Sequence, residues 1–249
     1  MMPPLVALLA HPDDEFAIFP WLRAAVRAGR DVRCVWLTDG GGGGQSVERR
    51  RLESIAVLTG LGLERSQLHF VGEDCGIPDG KLHLHLDTVV ERLSQTVANE
   101  AELLLPAWEG GHHDHDASHL VGIELSRGSA MTLRQYSLYH GEGLKGPWFK
   151  VLSPLPANGP SQWATTGMAE RLGYVACCLK YRSQWKSFVG LLPFYAWRMR
   201  RGDAFVLQPV KPERTAQRPH PGALLYERRG GPSWEKFAEL TRRYRCTEE

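Results

Sequence analysis

Six consecutive aliphatic residues, Leu5 to Ala10, run straight into His11-Pro-Asp-Asp-Glu15. Such a run suits a strand buried on both faces, as parallel strands between helical layers are. The polar residues then fall just past its carboxyl end, the edge at which open α/β sheets bind ligands. His11 and Asp14 lie three residues apart on a turn stiffened by Pro12, a borderline and a hard donor able to address one cation. Asp13, between them, cannot easily reach that ion and is free to take a proton from a bound water. Equally, Asp13 or Asp14 caps the helix that follows, with Glu15 in its first turn; within this stretch alone the two readings are balanced.

Downstream, strand and helix patterns alternate. Phe16, Phe19, Leu22 and Val26 recur at helical spacing up to Gly29, with Pro20 set to kink or restart the helix. Residues Asp31 to Thr38 read as a second strand, parallel to the first, and are followed by Asp39 and the glycines 40–44. That glycine run lacks the Lys-Ser/Thr of a P-loop and the spaced glycines of a dinucleotide fingerprint, so it reads as a mobile loop bordering the first site rather than a phosphate cradle. Ser46 caps a helix to Gly60 whose Arg49, Arg50 and Arg51 form a solvated face, or point one guanidinium at an anionic or hydroxyl-rich substrate. A short strand at Gln67 to Val71, a turn at Asp79-Gly80, a helix over Leu82 to Asn99 and a buried strand at Glu102 to Pro106 complete four β–α alternations. The pattern predicts a Rossmann-like α/β fold, a layered and mainly parallel sheet flanked by helices.

The end of that fourth strand carries Trp108-Glu-Gly-Gly-His112-His-Asp-His115-Asp-Ala-Ser-His119, which places four of the ten histidines within eight residues. Carboxyl ends of consecutive parallel strands share one edge, so this loop can face His11 and Asp14. His115 would complete a two-His, one-Asp set with a position open for water, as catalytic zinc sites have. His112 would face the substrate with Asp114 orienting its ring. His113 has no assigned role, and His119 is either an outer partner or an alternative third ligand. Beyond Leu125 the pattern weakens: strands at Leu133 to His140, Trp148 to Leu152 and Ala204 to Val210, helices at Ala169 to Phe188 and Ser233 to Tyr244. We read a single domain over 1–249, with a Rossmann-like metal-binding core at 1–128 and an extension at 129–249 shaping the substrate pocket. The aromatics Trp148, Phe149, Trp163, Trp185, Tyr195 and Trp197 suit a core better than a sugar or lipid platform.

Charge excludes one class of partner, since 30 basic against 28 acidic residues leave +2, too little for a nucleic-acid surface. Five cysteines, an odd number with 177 and 178 adjacent, read as reduced and mostly buried thiols of a cytoplasmic protein. The longest later apolar stretch, Phe188 to Trp197, is interrupted by Pro193 and is shorter than the ~20 residues of a membrane span. It reads as a helix on the core, with peripheral membrane contact as the alternative because Arg198, Arg200 and Arg201 follow.

Ala10-His-Pro-Asp-Asp-Glu15, then Thr38-Asp39-Gly40, then His112-x-Asp-His115 with His119 resembles the PIG-L/LmbE family of zinc-dependent N-deacetylases, and Lys180 to Gln184 looks like that family's later helix motif. The resemblance implies zinc, or alternatively Fe2+, held by His11, Asp14 and His115. It implies Asp13 as general base, His112 as the histidine that steadies the oxyanion or protonates the leaving amine, and Asp114 as its partner. Arg50 and Asp79 would bind the sugar. The sequence departs from the family at His113, where a proline is usual, and at Phe19 and Pro20, where glycines are common. The expected activity is hydrolysis of an acetamido group on an N-acetylglucosamine-containing small molecule or glycolipid, releasing acetate and a free amine, with a homo-oligomer compatible. Two rivals remain open: the same metal site acting on another amide or in thiol conjugation, and a nucleotide or sugar-phosphate binder with no stoichiometric metal.

Overall fold

The computed structural model describes residues 2–97, 99–202 and 204–246; position 98 of the expected fourth helix and the ends of the expected domain, 1 and 247–249, lie outside it. In chain order the elements are β1 (Leu5–Leu9), α1 (Phe19–Arg27), β2 (Val32–Trp36), α2 (Val47–Gly60), β3 (Leu68–His69), α3 (Val71–Asp74), α4 (Leu86–Ser94), β4 (Glu102–Pro106) and α5 (His113–Ser126). The later half adds β5 (Thr132–Tyr136), β6 (Tyr139–His140), β7 (Lys150–Val151), β8 (Gln162–Trp163), α6 (Met168–Cys178), α7 (Trp185–Arg201), β9 (Val206–Pro209), α8 (Leu225–Arg228) and α9 (Trp234–Leu240).

The main sheet runs β3-β2-β1-β4-β5-β9-β8. Its first five strands are parallel, and β9 and β8 close it with antiparallel pairings. β1 is central, and the alternation of its side chains divides the core. Leu5, Ala7 and Leu9 join one apolar layer with α1, α2, α6 and α7, while Val6 and Leu8 join the other with α4, α5 and α9. All five are at most 3 % exposed, and each buried Leu is worth about 2 kcal/mol of apolar transfer. A strand flanked on both faces has no polar side, which is why its sequence reads as an unbroken apolar run.

The strand order reverses beside β1. From β1 the chain crosses to β2, from β4 it crosses to β5, and the loops after β1 and β4 therefore part on opposite sides and leave a crevice between them. His11 to Asp14 form one lip and His112 to His115 the other.

Several elements depart from the sequence reading. Pro20 does not kink a helix; it sits at the first positions of α1, where a missing N–H costs nothing, after a separate 3-10 turn at Asp14–Ala17. The expected helix over 169–188 is broken at Leu179 to Tyr181 and resumes as the longer α7. Tertiary bonds hold the break: the Tyr181 hydroxyl donates to Glu15 Oε1 at 2.7 Å, and Ser183 N donates to Glu53 Oε1 at 3.0 Å. The helix expected from Leu82 starts at Leu86 behind a 3-10 turn at Leu82–Leu84. Of the aromatics expected in the core, Tyr195 is buried, but Trp148, Trp163, Trp185 and Trp197 are 65, 37, 59 and 54 % exposed. Among the described residues no helix is long and apolar enough to cross a membrane.

Candidate metal centre and catalytic pocket

The first lip is built by backbone strain that neighbours hold in place. Asp13 has φ 113°, a left-handed conformation that costs a non-glycine residue on the order of 1 kcal/mol and that Asp tolerates better than most. Asp14 turns back so that His11 N donates to its Oδ2 at 2.8 Å, and Asp13 N donates to Glu15 Oε2 at 3.0 Å. Arg50, buried on α2, reaches across and donates through Nη2 to Pro12 O at 2.8 Å and to Asp13 Oδ1 at 3.0 Å. Its Nη1 donates to Asp79 Oδ2 at 3.1 Å and to Gly40 O. Arg50 is thus no solvated helix residue, and both ends of its guanidinium are engaged in tying three loops together.

The second lip is the N-terminus of α5, where His112 accepts the Asp114 N–H on its Nδ1 at 3.2 Å. That assigns the ring proton to Nε2. The carboxylate of Asp114 does not orient His112, as the sequence reading expected. It is turned the other way, accepting from Gly80 N at 2.6 Å and Leu82 N at 3.0 Å and facing His11 Nε2 at 3.1 Å. Gly111 makes the approach between the lips and the later half of the chain possible: a Cβ there would lie 1.8 Å from Tyr139 O.

Across the crevice, ligand-capable atoms of His11, Asp14 and His115 lie within 4.8 Å of one another, as do those of His11, His112 and Asp114. His115 Nε2 is 3.1 Å from Asp14 Oδ1, and His11 Nδ1 is 3.5 Å from Asp14 Oδ2. His11 Nε2 also stands 3.2 Å from Asp79 Oδ1. Four carboxylates therefore converge here, and Arg50 pairs with only Asp13 and Asp79. Asp14 and Asp114 face histidines, and His115 Nδ1 is buried without a hydrogen-bond partner. Excess buried negative charge beside two imidazoles is the donor set a divalent cation of the zinc or iron type satisfies, so the residues fit such an ion. His119 stands apart from it, its Nδ1 2.8 Å from Pro106 O, as an internal tie to the end of β4.

The electrostatics separate the acids. Burial pushes the Asp13 carboxyl up to about 7, against the pull of Arg50 and with Asp14 and Glu15 adding to the rise. Burial acts the same way on Asp14, but the charges and hydrogen bonds of His115 and His11 outweigh it and hold that carboxyl well below its usual range. Burial, with His11 adding, holds His112 well below its ordinary value, so the ring is neutral rather than protonated. For Asp114 burial is again opposed, chiefly by the His11 hydrogen bond, which brings it down to about 2.

Above the lips opens a cavity of about 440 Å³. His11, Asp13, Asp14, Arg50, Asp79 and His112 border it from the first half of the chain; Tyr139, Phe149, Gln184, Lys186, Leu191 and Arg229 border it from the second. Arg229 lies over the rings of Phe149 and Tyr139, at 4.9 and 5.9 Å. Gln184 ends the later helix motif and Phe149 was among the aromatics weighed, but Tyr139, Lys186, Leu191 and Arg229 sit in no motif, so sequence reasoning did not single them out. Glu109 was within reach, since it lies inside the His-rich motif. Fully buried, it accepts the N–H groups of Leu138 and Tyr139 at 2.7 and 2.9 Å and so places Tyr139 at the rim. The glycine run is no phosphate cradle: Gly41 N donates to Asp39 Oδ1 at 2.8 Å and Gly42 N to Asp79 Oδ2 at 3.3 Å, amides already engaged by carboxylates.

No curated protein sequence matches the chain. Its fold is that of a deacetylase of teicoplanin biosynthesis in complex with bog, with TM-score 0.60, 17 % identity and coverage of 84 % of this chain and 98 % of that one. It is also similar to the conserved protein TT1542 from Thermus thermophilus (TM-score 0.54, 21 % identity, 85 and 95 % covered). A third similar fold is the N,N'-diacetylchitobiose deacetylase from Pyrococcus horikoshii (TM-score 0.58, 14 % identity, 83 and 84 % covered). Residues 6–126 match the sequence profile of the PIG-L family, described as GlcNAc-PI de-N-acetylase. The matched segment carries both lips of the crevice, so the likeness to the PIG-L family falls on the residues that build the site.

Proposed function

We propose that the chain is a metal-dependent N-deacetylase that hydrolyses an acetamido group to acetate and a free amine. The observation that carries this reading is the meeting of His11, Asp14 and His115 in one donor set, with Asp13 beside it and facing the cavity. The proposed ligands are those three residues, and zinc is the proposed ion. Once bound, such a cation polarises the acetamido carbonyl and acidifies a neighbouring water. Asp13 accepts the proton of the attacking water, a role that suits a carboxyl raised by burial and fixed by Arg50. His112 presents its Nε2–H to the carbonyl oxygen as negative charge develops there, a contact often worth about 3–4 kcal/mol in the transition state. Protonated Asp13 then returns its proton to the departing amine.

The substrate class we propose is an N-acetylglucosamine-containing small molecule or glycolipid. Support comes from the PIG-L profile, from the acetyl-sugar substrate named for the chitobiose deacetylase, and from a cavity of the size that holds a sugar. Asp79 and Arg229 at its rim are the proposed hydroxyl contacts. The test is product analysis with an N-acetylglucosamine conjugate: acetate and free amine should appear in equal amounts. Asp13→Asn should keep its metal and lose about 10²- to 10⁴-fold in turnover. Turnover unimpaired in that variant rejects Asp13 as base, and amide cleavage without acetate rejects the deacetylase.

A further inference from the structure

Behind the catalytic crevice, a second group of donors is buried between the 3-10 turn Leu82–Leu84 and the start of α5. His83, His113 and Asp114 are 8, 8 and 0 % exposed, and their ligand-capable atoms lie within 4.8 Å of one another. The two rings stand edge to face with centroids 5.1 Å apart. Nδ1 of each ring is buried without a hydrogen-bond partner, a deficit that destabilises the fold when nothing satisfies it. His113 Nε2 lies 2.9 Å from Gly80 O and 3.9 Å from Asp114 Oδ1. From these contacts we infer that His83, His113 and Asp114 form a second binding site for a divalent zinc-type cation, distinct from the His11, Asp14 and His115 set and sharing its neighbourhood through Asp114.

The chemistry of the donors selects the ion. Two imidazoles and one carboxylate suit zinc-type cations and offer too few oxygens for calcium or magnesium. Tetrahedral zinc spaces its donors about 3.4 Å apart, closer than the 3.9 Å between His113 Nε2 and Asp114 Oδ1, so small ring rotations complete the site. The site joins segments that are already in contact, because Asp114 accepts from Gly80 N and Leu82 N in the same turn. A cation there acts as a clamp, fixing the turn that carries Asp79 to the helix that carries His112 and His115. Asp114 Oδ2 also faces His11 Nε2, so the shared carboxylate makes this the weaker of the two sites.

The test is zinc stoichiometry, measured by equilibrium dialysis with elemental analysis on the full chain. The wild type should bind two ions per chain and His83→Ala one. The second equivalent should raise the Tm of the wild type and not that of His83→Ala. Saturation of the wild type at one ion overturns the inference, as does a His83→Ala protein that still binds two. If His83→Ala does not fold, His113→Gln serves in its place, and a His113→Gln protein that still binds two ions likewise overturns the inference. Because the readout is bound metal, a chain that binds two ions but releases no acetate refutes the deacetylase proposal and leaves this one standing.

Discussion

Replacing Arg50 with Met separates the role the sequence suggested from the one the structure supports. A sugar-binding arginine would raise KM when removed and leave the rest of the site unchanged. Here the guanidinium is buried, and it holds Asp13 at 3.0 Å, Asp79 at 3.1 Å and the carbonyl of Pro12 at 2.8 Å. Removing it strands two part-buried carboxylates, 14 and 16 % exposed, and breaking such a pair costs about 3 kcal/mol, the low end for a buried pair. For a chain of this length that is roughly a 10 °C fall in Tm. Asp79→Asn in the same chain should return part of the loss, a coupling that a double-mutant cycle isolates. Kinetics supply the sharper signature. Asp13 is already raised to about 7 by burial, and Arg50 is the strongest influence opposing the rise. Without that charge the carboxyl climbs further, and a base must be ionised to act. The acid limb of kcat/KM should therefore move to higher pH by a unit or more in Arg50→Met, with about a tenfold loss per unit below the limb. A bound dication lowers Asp13 in both proteins and leaves the direction unchanged. An unmoved limb with only KM raised would refute the positioning role and restore Arg50 as a substrate ligand.

Glu109 gives stability a pH dependence of a defined sign. Burial raises its carboxyl from an ordinary 4.5 to about 7, so the folded chain holds a proton that the unfolded chain has released. Its contribution is present below about 4.5 and is lost as pH climbs to about 7, roughly 3 kcal/mol in all. Hydrogen accounting agrees, because the Ser137 hydroxyl has one hydrogen and two oxygen neighbours, Glu109 Oε2 at 2.6 Å and Ser153 O at 2.9 Å, and a proton on Glu109 makes both contacts hydrogen bonds. Glu109→Gln should flatten denaturant midpoints across that window, and an unchanged slope would show that Glu109 is already ionised. Gly111→Ala drives a Cβ to 1.8 Å from Tyr139 O, so it should lose activity together with several kcal/mol of stability, read by turnover and chemical unfolding. Tyr181→Phe removes the hydroxyl that donates to buried Glu15 at 2.7 Å and should cost about 1–3 kcal/mol in chemical unfolding without changing bound metal.

The parts of this molecule that could be read from its sequence share a physical cause. β1 and β4 are buried on both faces, so nothing interrupts their apolar runs, and the polar residues that follow mark the sheet edge. His11, Asp14 and His115 were legible because each follows such a strand end closely in the chain. Arg50 lay in a run of three arginines, and its sequence context could not show that Pro12, Gly40 and Asp79 converge on it from three loops. Tyr139 and Arg229 were hidden for another reason: they reach the cavity through packing of the later half, where antiparallel edge strands and the broken α6–α7 pair leave no strand-end signature. Asp114 joins the two cases. Its motif placed it near His112, but only the turn at Gly80 to Leu82 shows that its carboxylate points away from that ring, holding His11 with one oxygen and the α5 start against the turn with both. The histidine of the first lip is thus positioned from the second lip, about a hundred residues on, and two reciprocal contacts, His11 to Asp114 and His115 to Asp14, make the two strand ends one site.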